Sequence, residues 1–361
     1  IALTITKPSG SLFCQVQETR SIIITGEVTD KETGEPLYGA NVYIVNTLLG
    51  SAADETGFYR IFRVPEGKIT VVASYVGYKI QKVELDITED FNYLDFKLDL
   101  NVDVLDEIVV KAMSPRKWKS FLKKFEKEFL GMTYNAKKCK ILNPEVLSFE
   151  ELEDSDGFLA STEEMLIVEN KALGYNLRLY LEHFSLENGM YNIFVQPTFE
   201  EMIPKNEKEK EKWEEEREKA FNGSLRHFFT SVAWGNSHTE GFIIHEADID
   251  TDNNFRVIAN DINIDSLLVD GYSDLEKAMI TDTDIIITFS NETAEHLPGS
   301  NMGGFQETVL KFRDRITRFY IDGYFPESYF PVSVHGYLAY ERVAELLPRE
   351  YNPLYERYRK K

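Results

Sequence analysis

LDEIVVKAMSPRKWKSFLKKFEKEFLG, residues 105–131, changes character halfway. An acidic turn leads into the apolar run Ile108, Val109 and Val110, and a dense mixture of lysines and aromatics follows. Trp118, Phe121, Leu122, Phe125 and Phe129 recur at i, i+3, i+4, i+7 and i+11, so a helix gathers them on one narrow stripe. Lys117, Lys119, Lys123, Lys124 and Lys127 fall opposite. Ser114 before Pro115 supplies an N-cap with proline at the first helical position. The stretch therefore reads as the end of one domain and, over 115–130, an amphipathic helix that opens another.

Upstream of it the chain is a series of short β-rich runs punctuated by turn residues. SIIITGEVTD ends polar, TGEPLYGANVYIV carries Gly34, Pro36 and Gly39 ahead of an alternating strand, and SAADETGFYRIFRV turns at Gly57 before Tyr59, Ile61 and Phe62. GKITVVASYVGY, QKVELDIT and YLDFKLDL continue the rhythm. Strands recurring every 8–12 residues or so predict a β-sandwich of about 90 residues, not a βαβ unit. Glycine at 34, 57 and 77 suits tight turns that need positive φ.

These residues carry a resemblance. GEVTDKETGEPLYGANVYIVNT, DETGFYRIFRVPEGKITVVASYVGY and the closing LDEIVV resemble the carboxypeptidase D regulatory-like domain, a transthyretin-like, Ig-like sandwich, over Ile22 to Val110. The resemblance implies a cell-envelope or secreted protein, most often from Bacteroidota, where such domains precede the plug of TonB-dependent transporters. About 250 residues follow, too few for a plug and a 22-stranded barrel, so the chain is expected not to be a transporter. The catalytic zinc of the carboxypeptidases lies in a separate domain with a His-x-x-Glu pair, and no such pair occurs here.

Downstream, NLRLYLEHF alternates Leu177, Leu179 and Leu181 with Arg178, Tyr180 and Glu182, and ENG supplies a hairpin turn before MYNIFVQPTF. An antiparallel sheet with one wet face is the economical reading. NEKEKEKWEEEREKAFNGS reads as a solvated helix with Trp213 as its main apolar contact, and SLRHFFTSVAWG as a helix buried on one side through Leu225, Phe228, Phe229 and Val232. Strands return in GFIIHEADID, FRVIAN, TDIIITFS and ETVLKFRDRITRFYID. A last short helix carries Val343, Leu346 and Leu347 on one face, stopped by Pro348. FLGMTYNAKKCKILNPEVLSF, VENKALGYNLRLYLEHF, FNGSLRHFFTSV and YERVAELLPREY make most of Pro115 to Pro353 similar to the uncharacterised region that follows this sandwich in a group of Bacteroidota envelope proteins, which adds no activity. The expected fold is mainly β, α+β overall: an extension at 1–20, the sandwich at 21–112, and at 113–361 an antiparallel β-rich domain with helices near 115–130, 207–234 and 339–347.

Composition narrows the functions. Forty basic residues against 61 acidic ones leave a formal charge of -21, which repels phosphate backbones unless a local basic patch intervenes, so nucleic acid is not expected as a partner. No run approaches the ~20 apolar residues of a membrane-spanning helix. The first twenty residues show no secretion signal, and SLFC lacks the small residue that precedes a lipidated cysteine. Cys14 and Cys139 are either one bridge or two thiols.

Chemistry is sparse. HExxH, GxSxG, the P-loop and the dinucleotide fingerprint are missing, and the six histidines lack ligand spacing. HEADIDTDNNFRV offers Asp248, Asp250 and Asp252 as alternating oxygen ligands for calcium, but the loop has no glycine at its sixth position and no glutamate at its twelfth. An acidic hairpin turn is the simpler reading. No cofactor is expected, and no carboxylate pair is singled out for a hydrolase.

What remains is binding. The expected function is a non-enzymatic scaffold of the Gram-negative envelope, periplasmic or outer-membrane associated, docked on an outer-membrane protein or complex. Its interaction candidates are Tyr75, Tyr78, Trp118, Lys123, Lys124 and Trp213. The alternative is a surface glycan or nutrient binder with a stacking platform from Trp213, Trp234, Tyr272, Tyr324 or Tyr329. The basic helix also fits contact with an anionic membrane surface, against the simpler reading that its aromatics pack inward and its lysines are solvated.

Overall fold

The computed structural model describes residues 22–101, 113–152, 156–249, 255–259, 262–293, 305–325 and 331–359. The N-terminal unit contains β1 (Ile23–Asp30), β2 (Asn41–Ile44), β3 (Gly50–Ala52), β4 (Phe58–Phe62), β5 (Gly67–Ser74), β6 (Gln81–Ile87), β7 (Phe91–Tyr93) and β8 (Phe96–Leu98). In one sheet β1 pairs antiparallel with β4 and, on its other edge, parallel with β7 and then β8; the other sheet runs β3-β2-β5-β6. Alternation drives the packing: Ile24 and Val28, Tyr59 and Ile61, Val71 and Ala73 turn inward to a common core with Phe96 and Leu98. Gly26 lies where the chain steps from β7 to β8, and a Cβ there would meet the Leu94 carbonyl oxygen at 1.8 Å. The missing side chain lets Leu94 donate its N–H to the Thr25 carbonyl at 2.8 Å and bridge the two parallel pairings.

The second unit begins with α1 (Pro115–Leu130), capped as the sequence predicts: Ser114 Oγ accepts from the Lys117 N–H, and Gly131 ends the helix at φ 104°. Its sheet comprises β9 (Cys139–Ile141), β10 (Leu147–Glu151), β11 (Phe158–Thr162), β12 (Leu166–Asn170), β13 (Tyr175–Glu187) and β14 (Met190–Glu201). The long β13 organises it, with β14 along one edge and β12 and β11 sharing the other. Leu177, Leu179 and Leu181 point into the core, and a bulge between Leu181 and His183 resets the period so that Phe184 points inward too. Asn188 and Gly189, both at positive φ, make the tight turn into β14. Onto this face the helix lays its stripe: Phe121 stacks on Phe158 at 4.6 Å and Phe125 meets Phe184 edge-on at 4.7 Å.

The predicted helical region near 207–234 is two helices, α2 (Glu207–Phe221) and α3 (Leu225–Ala233), broken at Gly223 with φ 75° and restarted by the Ser224 cap. The third unit has β15 (Phe242–Ile249), β16 (Phe255–Ala259), β17 (Leu268–Asp270), β18 (Glu276–Ile280), β19 (Asp284–Thr293), β20 (Phe305–Phe312), β21 (Ile316–Tyr320) and β22 (Val332–Gly336). These form sheets β16-β15-β19-β20-β22 and β17-β18-β21, with Phe228, Phe229 and Val232 of α3 in the core they share.

The helix expected over 339–347 is not formed. Tyr337–Tyr340 and Val343–Glu345 are single 3₁₀ turns, and the last helix is α4 (Pro353–Arg359). Distant partners have taken carbonyls that the first turn of such a helix would pair internally: Ala339 accepts from Tyr191 Oη, and Tyr340 accepts the Met132 N–H at 3.4 Å. The Ala344 carbonyl accepts from Asn170 Nδ2 at 2.9 Å, and the Arg226 guanidinium donates to the carbonyls of Pro348, Arg349 and Tyr351 at 3.0, 2.9 and 2.6 Å. Val343, Ala344 and Leu347 are still buried, in the core of the second unit.

The loop between β2 and β3 fastens the sandwich to the second unit and to the C-terminal segment. Asn46 donates its N–H to the Pro197 carbonyl at 2.6 Å, and Phe199 donates to the Thr47 carbonyl at 3.1 Å. Leu48 donates to the Glu350 carboxylate at 3.0 Å. Lys68 of β5 donates its N–H to Tyr320 Oη at 3.0 Å, which joins the sandwich to the third unit as well.

Candidate interaction surfaces

Most of the aromatic candidates are structural. Tyr75 and Tyr78 pack on each other at 5.5 Å beside the sandwich core, and Tyr78 Oη donates to Asp30 Oδ2 at 2.7 Å. That bond raises the Tyr78 phenol to about 12. Asp30 is held below its usual range by the Thr33 N–H, by Tyr78 and by the Glu32 N–H, and so locks the turn that follows β1. Trp118 donates Nε1–H to the Leu147 carbonyl at 3.1 Å and meets Phe149 edge-on, so it belongs to the helix–sheet contact.

Trp213, the main apolar contact expected of its helix, is 7% exposed and donates to the Lys171 carbonyl, so it is taken up by the fold. It fits because Gly174, at φ 70°, leaves room where a Cβ would stand 2.3 Å from the indole. Of the stacking candidates, Trp234 donates to the Ile321 carbonyl and packs on Tyr355 and Tyr358, and Tyr324 Oη is held by Leu347 and Arg226. Tyr272 is 81% exposed, with the Arg318 guanidinium 4.6 Å from its ring. Tyr329 lies outside the described residues.

Asp248 falls within β15, opposite Arg256 of β16, while Asp250 and Asp252 lie outside the described residues. No group of three His, Cys, Asp or Glu among the described residues is arranged to hold a metal ion. Cys139 is a free thiol that burial pushes to about 12, far from the nucleophilic range; Cys14 lies outside the described residues. His227 is buried, accepts the Gly223 N–H at Nδ1 (2.9 Å), and is lowered by burial to about 4 against the opposing pull of Glu240. The other imidazole nitrogen therefore carries the proton and points towards Glu240 Oε2, 3.7 Å away.

Two surfaces remain open. On α1, Lys123 and Lys124 project into solvent from the face opposite the buried phenylalanines, as the periodicity requires. The second surface escaped the sequence reading. On the outer face of the β4-β1-β7 sheet, Phe62 and Phe91 flank Ile23 in direct cross-strand register, and Arg60 and Tyr93 flank Thr25 one row along. Phe62, Phe91 and Tyr93 are 50%, 57% and 62% exposed. The Arg60 guanidinium lies 5.3 Å from the centre of the Phe58 ring and 5.8 Å from that of Phe62. The available signal was FYRIF itself, whose two alternating faces are both rich in apolar residues.

No helix among the described residues is long and apolar enough to cross a membrane. Residues 24–110 match the family described as CarboxypepD_reg-like domain. The chain is similar to TonB-dependent receptor P39 of Formosa agariphila, 33% identical over 94 residues that cover 26% of this chain and 9% of that protein. It is also similar to TonB-dependent receptor SusC of Bacteroides thetaiotaomicron, 36% identical over 91 residues, 25% of this chain and 8% of that protein. The chain thus spans less than a tenth of the length of these relatives. Among solved structures, 5-hydroxyisourate hydrolase of Klebsiella pneumoniae aligns at 20% identity and a TM-score of 0.20, over 22% of this chain and 91% of that one. Catechol 1,2-dioxygenase of Acinetobacter sp. ADP1 aligns at 15% identity and a TM-score of 0.21, over 27% and 58%. Neither likeness bears on activity. The turn glycines, the eight-stranded sandwich and the match in sequence agree: residues 24–110 are a CarboxypepD_reg-like domain.

Proposed function

We propose that the protein is a non-enzymatic docking component of the bacterial cell envelope whose sandwich seats a protein of the outer membrane on its outer sheet face. The observation that carries this reading is the row Phe62, Ile23 and Phe91 with Tyr93 and Arg60 beside it. Exposed aromatics with an arginine among them have the composition of an interface centre, and an apolar sheet face left in water is costly without a partner. The context supports it: in the TonB-dependent receptors this domain is a small part of a much longer chain, so its role there is exercised beside other structure. Phe62→Ser with Phe91→Ser is expected to lower recovery of the partner from native membranes at least about tenfold while leaving the melting temperature unchanged. Undiminished recovery would refute the reading.

A further inference from the structure

A second surface differs in chemistry. Residues 111–140 hold ten of the chain's 40 Lys and Arg but only two of its 61 Asp and Glu, so positive charge is concentrated in an otherwise strongly acidic molecule. The fold shapes part of that charge into an open groove between the last turns of α1 and the loop after Gly131. Lys123, Lys124 and Lys127 line it from the helix side and Lys137 from the loop side, together with the largely buried Leu130 and Ala136. Glu126 is the one carboxylate among the lining residues.

These lysines are not consumed by the fold. Lys123 and Lys137 have no ion pair among the described residues, Lys124 lies 5.9 Å from the centre of the Phe121 ring, and Lys127 meets its neighbour Glu128 at 3.4 Å. By contrast Lys117, earlier on the helix, is paired with Glu151.

We infer that this groove docks an acidic polypeptide segment of a partner protein, with carboxylates against Lys123, Lys124, Lys127 and Lys137 and an apolar side chain over Leu130 and Ala136. Charge complementarity selects an anionic partner, and shape selects a narrow one. A flat anionic bilayer would face the acidic remainder of the chain as well, whereas a single segment in the groove meets the lysines within the ~8 Å screening length of physiological salt. The helix also has no apolar face to insert into lipid, because Phe121, Phe125 and Phe129 are buried in the core. The inference stands apart from the outer sheet face and survives if that surface proves unoccupied.

The test uses the full chain and a short fluorescent peptide of alternating Glu and Leu, followed by anisotropy. Saturable, salt-sensitive binding is expected, weakened at least about tenfold by Lys123→Gln with Lys124→Gln and Lys127→Gln, and separately by Lys137→Glu on the loop side. A peptide with Gln in place of Glu should not bind, and melting temperatures should match the parent because all four side chains are exposed. Absence of binding, or loss on one side only, overturns the groove. Salt-sensitive capture by phosphatidylglycerol vesicles without peptide binding would assign the lysines to a membrane surface and overturn the inference equally.

Discussion

Arg349 donates its backbone N–H to the carbonyl of Asn46 at 2.7 Å, a bond that joins the C-terminal segment to the tip of a sandwich loop 303 residues earlier in the chain. Asn46 holds a left-handed φ of 64°, which turns its N–H towards Pro197 of β14 and its carbonyl towards Arg349. The sandwich has its own core yet is fastened through one loop to the second unit and to the C-terminal segment.

A fragment spanning 22–101 is therefore expected to unfold cooperatively by calorimetry, because seventeen buried apolar residues form its core without outside help. Its midpoint should lie below that of the whole chain, where the bonds to Pro197, Phe199 and Arg349 are added. A midpoint equal to or above that of the full chain would show that the docking contributes nothing.

The helix α1 makes a sharper contrast. Phe125→Ala should cost about 3–5 kcal/mol in denaturant unfolding, since the ring is fully buried between Phe129, Phe149 and Phe184. Lys123→Gln with Lys124→Gln should stay within about 0.5 kcal/mol of the parent. Equal losses would mean that the lysine face supports the fold.

Gly174→Ala should destabilise by roughly 1–3 kcal/mol, from the clash with the Trp213 indole and from a side chain at φ 70°. Tryptophan emission should shift to the red as the ring is displaced. An unchanged spectrum and midpoint would contradict the packing described.

Acid acts on His227. Its folded pKa of about 4 lies below the ordinary 6.5, so the unfolded chain binds the proton more readily and stability is lost as pH falls from about 6.5 to about 4. The loss should approach about 3 kcal/mol and level off below that window. Urea midpoints across this range for the parent and His227→Phe isolate it: the substituted protein should show a shallower slope, and identical slopes would remove His227 as the cause.

Local pattern made much of the fold legible. The Ser114-Pro115 start, the phenylalanine stripe, the Leu177–Leu179–Leu181 alternation and the Asn188-Gly189 turn each act within a few residues, and each is found in place. What could not be read depends on distant partners. The spacing of Val343 and Leu347 satisfies a helix, but Tyr191 and Met132 claim the Ala339 and Tyr340 carbonyls that its first turn would pair, and only 3₁₀ turns remain. Trp213 reads as the apolar contact of its charged helix, but what it packs on does not: its burial rests on the absence of a Cβ at Gly174, 39 residues away. The terminal helix did leave a signal in Asn352-Pro353, where Asn352 Oδ1 accepts the Tyr355 N–H. The outer aromatic face was hidden for another reason: Phe62 and Phe91 come from separate strands, and only their shared register with Ile23 makes one surface.

The most direct test of that surface is a photo-crosslinking amino acid placed singly at Phe62, at Phe91 and at the exposed Tyr38, in cells that retain their native envelope. The docking account predicts that positions 62 and 91 capture the same outer-membrane protein, identified by mass spectrometry, and that position 38 does not. Capture of no common protein from 62 and 91, or equal capture of that protein from 38, would contradict it.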